Sequence, residues 1–211
     1  MRRWLGHGLK NGIYSTLTIL SAVILRTAFR LRVRGRQNLK PTGEYIIVAR
    51  HRSYWDVFVL ATAIGVFRRI HFIARKGLMR SNPLAQSVVR AFSTIIDRES
   101  FGRSDFREML QAIRRERLVA IFPEGTTKRS VDAKVGAVRF AALAKKEILP
   151  VNISAEGPYP PKYPFRFPKL TVSIGTPFSA DELAAEDGGQ DTRAERTQAM
   201  SQELMVRVDN A

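Results

Sequence analysis

The chain has no cysteine and only three histidines, His7, His51 and His71, in 211 residues. The first absence excludes disulfides, thiolate metal sites and a cysteine nucleophile. With so few histidines and no HExxH spacing, a zinc enzyme is not expected. A G-x-S-x-G elbow is also missing, which removes the usual serine-hydrolase nucleophile. Acid is scarce as well. Nineteen Asp and Glu stand against 35 Lys and Arg, a net charge of +16, so the chain needs an anionic partner. Nucleic acid and an anionic membrane surface both meet that need. No recognition helix, RNP sequence or zinc-finger signature is present, so nothing but charge supports the nucleic-acid alternative.

What is there begins with a segment unlike the rest. Asn11 to Leu25 is fifteen residues without a charge, flanked by Arg2, Arg3 and Lys10 before and by Arg26, Arg30, Arg32, Arg34 and Arg36 after. Fifteen falls short of the roughly 20 residues that cross a bilayer core. Ile13, Leu17, Leu20 and Ile24 recur at helical spacing, and the pattern predicts a helix lying in or dipping into one leaflet with its arginines on anionic headgroups. A signal peptide and an ordinary core helix are the competing readings, the former without a small-x-small cleavage site. Three parts are expected: a membrane-associating segment over 1–36, an α/β domain over 37–180, and an acidic linker with a covering helix over 181–211.

The middle part alternates short apolar runs with amphipathic ones. Strands are expected at Leu31–Val33, Tyr45–Ala49, Ile70–Ala74, Phe92–Ile96, Leu118–Phe122, Ile148–Ile153 and Leu170–Ile174. Helices are expected at Val57–Val66, Leu84–Ala91 after Pro83, Phe106–Arg117, Val135–Lys145 and from about Thr192, with Met200, Leu204 and Val208 on one side. Gly157 to Pro168 is too rich in proline for regular structure. The alternation predicts an α/β fold, a central mixed and mainly parallel sheet flanked by helices, with ligand-binding loops at the carboxyl ends of the strands.

Candidate chemistry gathers at those ends. His51 follows the strand Tyr45–Ala49, and Asp56, five residues on, falls in the first turn of the next helix. From there it can fold back to one ring nitrogen and leave the other to take a proton. Ser53 is expected to cap that helix. Glu124, Gly125 and Thr126 follow another strand, where backbone N–H groups and threonine hydroxyls suit an anion. Arg98 ends a third β-prone run, and a guanidinium there suits a phosphate.

The segments HRSYWD at 51–56, IIDR at 95–98, FPEGTTKRS at 122–130 and ILPVNI at 148–153 occur in the order and spacing of the four blocks of the glycerolipid acyltransferase family. The chain resembles its 1-acylglycerol-3-phosphate acyltransferase branch most. That resemblance implies His51 as general base with Asp56 as its partner, and Arg98, Glu124, Gly125 and Thr126 as the residues that bind the phosphate-bearing acceptor. It further implies an acyl-CoA or acyl-carrier-protein donor and a lysophospholipid acceptor, without cofactor or metal. The place of work would be an anionic membrane surface, the cytoplasmic face of a bacterial inner membrane. Two positions depart from the family pattern: Arg50 stands where Asn is common, and Thr127-Lys128 precede Arg129-Ser130.

Overall fold

A computed structural model of the chain describes residues 7–77, 83–97, 100–123, 130–162, 166–185 and 193–211. Among the described residues seven strands form one sheet: β1 (Arg32–Arg34), β2 (Tyr45–Ala49), β3 (His71–Arg75), β4 (Ser93–Ile96), β5 (Leu118–Ile121), β6 (Glu147–Glu156) and β7 (Lys169–Ile174). Their order is β1-β7-β6-β2-β5-β3-β4. The five strands from β6 to β4 are parallel. β7 runs against β6, and β1 follows β7. The sheet is therefore mixed and mainly parallel.

The continuous apolar runs have a direct cause, for β2 and β5 are covered on both faces. Tyr45, Ile47 and Ala49 of β2 join Leu118, Ala120, Leu149, Val151 and Ile153 in one layer, under Val59, Leu60 and Ala63 of helix α2 (Trp55–Ile64). Ile46 and Val48 point the other way, with Val119, Ile121 and Ile148. That second layer is closed by Met109 and Ile113 of α4 (Arg103–Arg115), Phe140 of α5 (Ser130–Ala144), and Leu204 and Val208 of α7 (Arg193–Asp209). Helix α3 (Pro83–Phe92) leads into β4.

Two helices differ in detail from their sequence reading. The stretch beginning at Asp181, acidic enough to read as a linker, opens with α6 (Ala180–Ala185), whose Leu183 is buried. A reciprocal cap starts it. The Ser179 N–H donates to Glu182 Oε1 at 2.8 Å, and the Glu182 N–H donates to Ser179 Oγ at 3.2 Å. Helix α1 (His7–Thr27) extends past both ends of the uncharged fifteen residues, taking in Lys10 and Arg26. Its 20 residues Gly8–Thr27 are long and apolar enough to cross a membrane, by length and composition alone.

The face that α1 turns inward carries Tyr14, Thr18, Ser21, Ala22 and Leu25, all buried, and Phe29 follows just past its end. Outward lie Ile13, Ile19, Leu20, Val23 and Ile24, which are 38–59% exposed. The inward face thus mixes hydroxyls with Ala22 and Leu25, while five branched aliphatics face away, an outward stripe that a helix on a water-soluble domain would not favour. Thr18 and Ser21 donate back to the carbonyls of Tyr14 and Leu17, so their burial leaves no unmet donor.

The reversed pair β7–β1 decides where α1 meets the sheet. Arg32 is level with Thr171, Thr171 with Ser154, and Ser154 lies three residues beyond Val151, which is level with Ala49. The end of α1 and the start of β1 therefore reach the edge at which β2 delivers His51. Gly35 closes β1 with φ 75°, and a Cβ placed there runs into the Ile174 carbonyl oxygen. Asn38 Nδ2 donates to that same oxygen at 2.8 Å. Gly35→Ala is expected to lower stability by about 2 kcal/mol or more, since strain and overlap act together. Denaturant unfolding checks it, and an unchanged midpoint would show that the turn relaxes freely.

Candidate active site

After Ala49 the chain leaves the sheet through Arg50-His51-Arg52-Ser53-Tyr54 and enters α2 at Trp55. Asp56, in the first turn of α2, folds back as its spacing predicts. Its Oδ2 lies 3.2 Å from His51 Nδ1 and accepts the backbone N–H groups of Arg52 and Ser53, each at 2.7 Å. Ser53 Oγ accepts the Trp55 N–H at 3.2 Å one residue ahead of the N-cap, which is Tyr54 and not Ser53 as expected. The Asp56 side chain is 1% exposed and that of His51 32%, so the carboxylate is sealed while the imidazole keeps an open side. An Nδ1–H donated to Asp56 selects the tautomer whose Nε2 carries the lone pair.

The described parts of the other blocks converge here. Phe122, at the end of β5, stacks on the His51 ring with centroids 4.5 Å apart and 25° between planes. The Arg52 guanidinium donates to the carbonyl of Ile153 on β6. Asp97, just past β4, pairs with Lys76 at 3.3 Å, and its N–H is taken by Asp105 at 3.2 Å. Since β2, β3, β4 and β5 are parallel, Asp97 and Phe122-Pro123 stand on the same side of the sheet as His51. Of the candidate residues, the structure brings His51 and Asp56 together. Arg98, Glu124, Gly125 and Thr126 lie outside the described residues.

Two side chains at the site make contacts that the sequence reading did not supply. Arg50, where the family pattern has Asn, is held by both oxygens of Asp209 at 2.6 Å. The Asp209 carbonyl accepts Asn152 Nδ2 at 2.7 Å, so the end of α7 is tied down beside the turn. Tyr159, from the proline-rich stretch after β6, donates its hydroxyl to Asp56 Oδ1. Burial first, and then the adjacent carboxylate, push its phenol pKa up. The only hint in the sequence was an aromatic hydroxyl just beyond a strand that ends at this edge.

His71 shows the contrast. It sits inside the sheet, with Nε2 2.9 Å from Thr94 Oγ1, and burial pushes its pKa down to about 4. The folded protein resists a proton that the unfolded chain takes up near pH 6.5. The stability tied to this group is complete above pH 6.5 and is lost as the pH falls toward 4. Unfolding measured between pH 7.5 and 4.5 is expected to show a loss on the order of 3 kcal/mol from this group. In His71→Asn that part of the pH dependence should flatten, whereas an unchanged profile would refute a neutral buried histidine.

A protein-family model described as Acyltransferase matches residues 30–154. The 1-acyl-sn-glycerol-3-phosphate acyltransferase of Bacillus subtilis is 28% identical over 187 residues, covering 88% of this chain and 90% of that protein. The enzyme of the same name from Streptococcus pneumoniae is 29% identical over 162 residues, 76% of this chain and 60% of that longer one. The crystal structure of the 1-acyl-sn-glycerophosphate (LPA) acyltransferase from Thermotoga maritima aligns over 100% of this chain and 83% of its own. At a TM-score of 0.66 and 19% identity it shares the fold. The family match takes in more than half of the chain and contains all four blocks, from HRSYWD to ILPVNI, and on that ground the chain belongs to the Acyltransferase family.

Proposed function

We propose that the protein transfers an acyl chain from acyl-CoA or acyl-carrier protein to the free hydroxyl of 1-acylglycerol-3-phosphate, giving phosphatidic acid at a membrane surface. The observation that carries this reading is the His51–Asp56 pair, 3.2 Å apart at the carboxyl edge of the sheet. The names of the Bacillus and Streptococcus relatives support the acceptor.

In this reading His51 Nε2 takes the proton of the acceptor hydroxyl as its oxygen attacks the thioester carbonyl carbon. An ester C–O bond forms, the C–S bond breaks, and the departing thiolate takes up a proton. No covalent enzyme intermediate is required, which agrees with a site built without a cysteine or a serine elbow. Asp56 stabilises the imidazolium that forms. Arg98, Glu124, Gly125 and Thr126 are assigned to the acceptor phosphate through the family blocks. Most of the remaining acceleration comes from holding donor and acceptor together.

The membrane setting has its own support. The aliphatic face of α1 points away from the protein. Arg26, Arg30, Arg32, Arg34 and Arg36 are all exposed and have no acidic partner among the described residues. Leu31 and Val33 pack against the core, so the alternating arginines of β1 line its other side. A row of unpaired cations beside an outward apolar face matches a surface of acyl chains and anionic headgroups.

His51→Ala is expected to lower transfer from oleoyl-CoA to 1-acylglycerol-3-phosphate by roughly 10²- to 10⁴-fold without altering the circular dichroism. CoA release and lipid product, followed together, measure it. Retention of the wild-type rate would overturn the base assignment. For the membrane, the combined change Ile13→Ser, Leu20→Ser and Ile24→Ser should abolish co-flotation with anionic vesicles while thermal stability in detergent is kept. If stability falls and flotation persists, that face of α1 is core and not a lipid contact.

A further inference from the structure

Tyr159 reaches the dyad from outside the residues 30–154 that match the family. It lies in the proline-rich stretch between β6 and β7, half-buried, with its ring packed against the core layer beneath α2. Its hydroxyl meets Asp56 Oδ1, whereas all the local donors, from His51, Arg52 and Ser53, meet Oδ2.

That division matters because the outer torsion of an aspartate is soft and roughly two-fold. Donors on one oxygen hold that oxygen in place and leave the carboxylate plane free to rock about it. A donor on the other oxygen, carried by a ring packed against the core, sets the plane. A tyrosine suits this task, having only two side-chain torsions and a hydroxyl that stays protonated and so remains a donor. Tyr159 touches none of the reacting atoms.

We infer that Tyr159 is a positioning residue for acyl transfer: by donating to Asp56 Oδ1 it aims Asp56 Oδ2 at His51 Nδ1 and shares the carboxylate charge that His51 feels. The inference rests on His51 acting as the base. Among the described residues, the titratable or charged groups facing Asp56 are His51 and Arg52 from the turn and Tyr159 from the β6–β7 stretch. Phe122 from β5 and Ile153 from β6 bring no charge to it. Removing the tyrosine hydroxyl leaves the carboxylate with one donor fewer. It then holds an imidazolium more tightly, so the base gives up its proton only at higher pH.

Tyr159→Phe removes that hydroxyl and keeps the ring. In the full-length protein, assayed with oleoyl-CoA and 1-acylglycerol-3-phosphate, kcat is expected to fall about tenfold, the scale of one lost hydrogen bond to a charged group. KM for the donor should change less than about twofold, because a positioning residue acts through Asp56 on the chemical step. The acid limb of the kcat/KM profile should move to higher pH by roughly half a unit or more. In an Asp56→Asn background the same substitution should change kcat by less than about twofold, since the two residues act as one unit. A Phe variant with the wild-type rate and profile would overturn the inference. So would a slower enzyme with an unmoved acid limb, which is what a merely structural tyrosine yields. His51→Ala in the same assay separates the two readings. If it is active, the base assignment and the inference fall together. If it is dead while Tyr159→Phe behaves as wild type, only the role of Tyr159 is lost.

Discussion

One buried carboxylate closes the junction between β2 and α2. A strand that leaves the middle of a sheet and turns at once into a helix exposes several backbone N–H groups, and two of them, on Arg52 and Ser53, are satisfied by Asp56 Oδ2. The same oxygen holds the imidazole of His51. Folding the turn and orienting the histidine are therefore a single event, and any change at Asp56 disturbs both.

The neighbours of the turn belong to distant parts of the chain. Phe122 backs the His51 ring from β5, Arg52 reaches the backbone of β6, and Arg50 is clamped by the last turn of α7. Each contact holds one side of a five-residue segment that has no regular structure of its own. The stacking on Phe122 also covers one face of the imidazole and fixes the plane of its ring.

How much of this was legible follows from the distance between partners. The contact between His51 and Asp56 could be read because they are five residues apart, within reach of one turn. The strands could be read because a run apolar on both faces has few other uses. Tyr159 could not, lying 103 residues from Asp56, nor could the clamp between Arg50 and Asp209 across 159 residues. The apolar stripe of α1 was visible, yet its direction was not. Only the packed structure shows that Tyr14, Thr18 and Ser21 face the protein and that Ile13, Leu20 and Ile24 do not. The turn before α6 does carry a local signal, Ser179 and Glu182 at the capping spacing, which the acidic composition around it masks. Strand direction in the β7–β1 pair had no local signal at all, because it depends on how the last strands join an already formed sheet.

The reversal of that pair sets a height. Had β1 run with β2, α1 would have met the opposite end of the sheet, about 17 Å from His51 for a five-residue strand. As built, the end of α1 and the imidazole share one rim, and Phe29 just beyond α1 packs on Trp55 beside Asp56 with ring centres 4.9 Å apart. In the proposed reading, with α1 in lipid, His51 rides at a constant level over the acyl chains. On that proposal an acceptor reaches it by diffusing in two dimensions, and the product, which carries one more chain than the acceptor, is released where it dissolves.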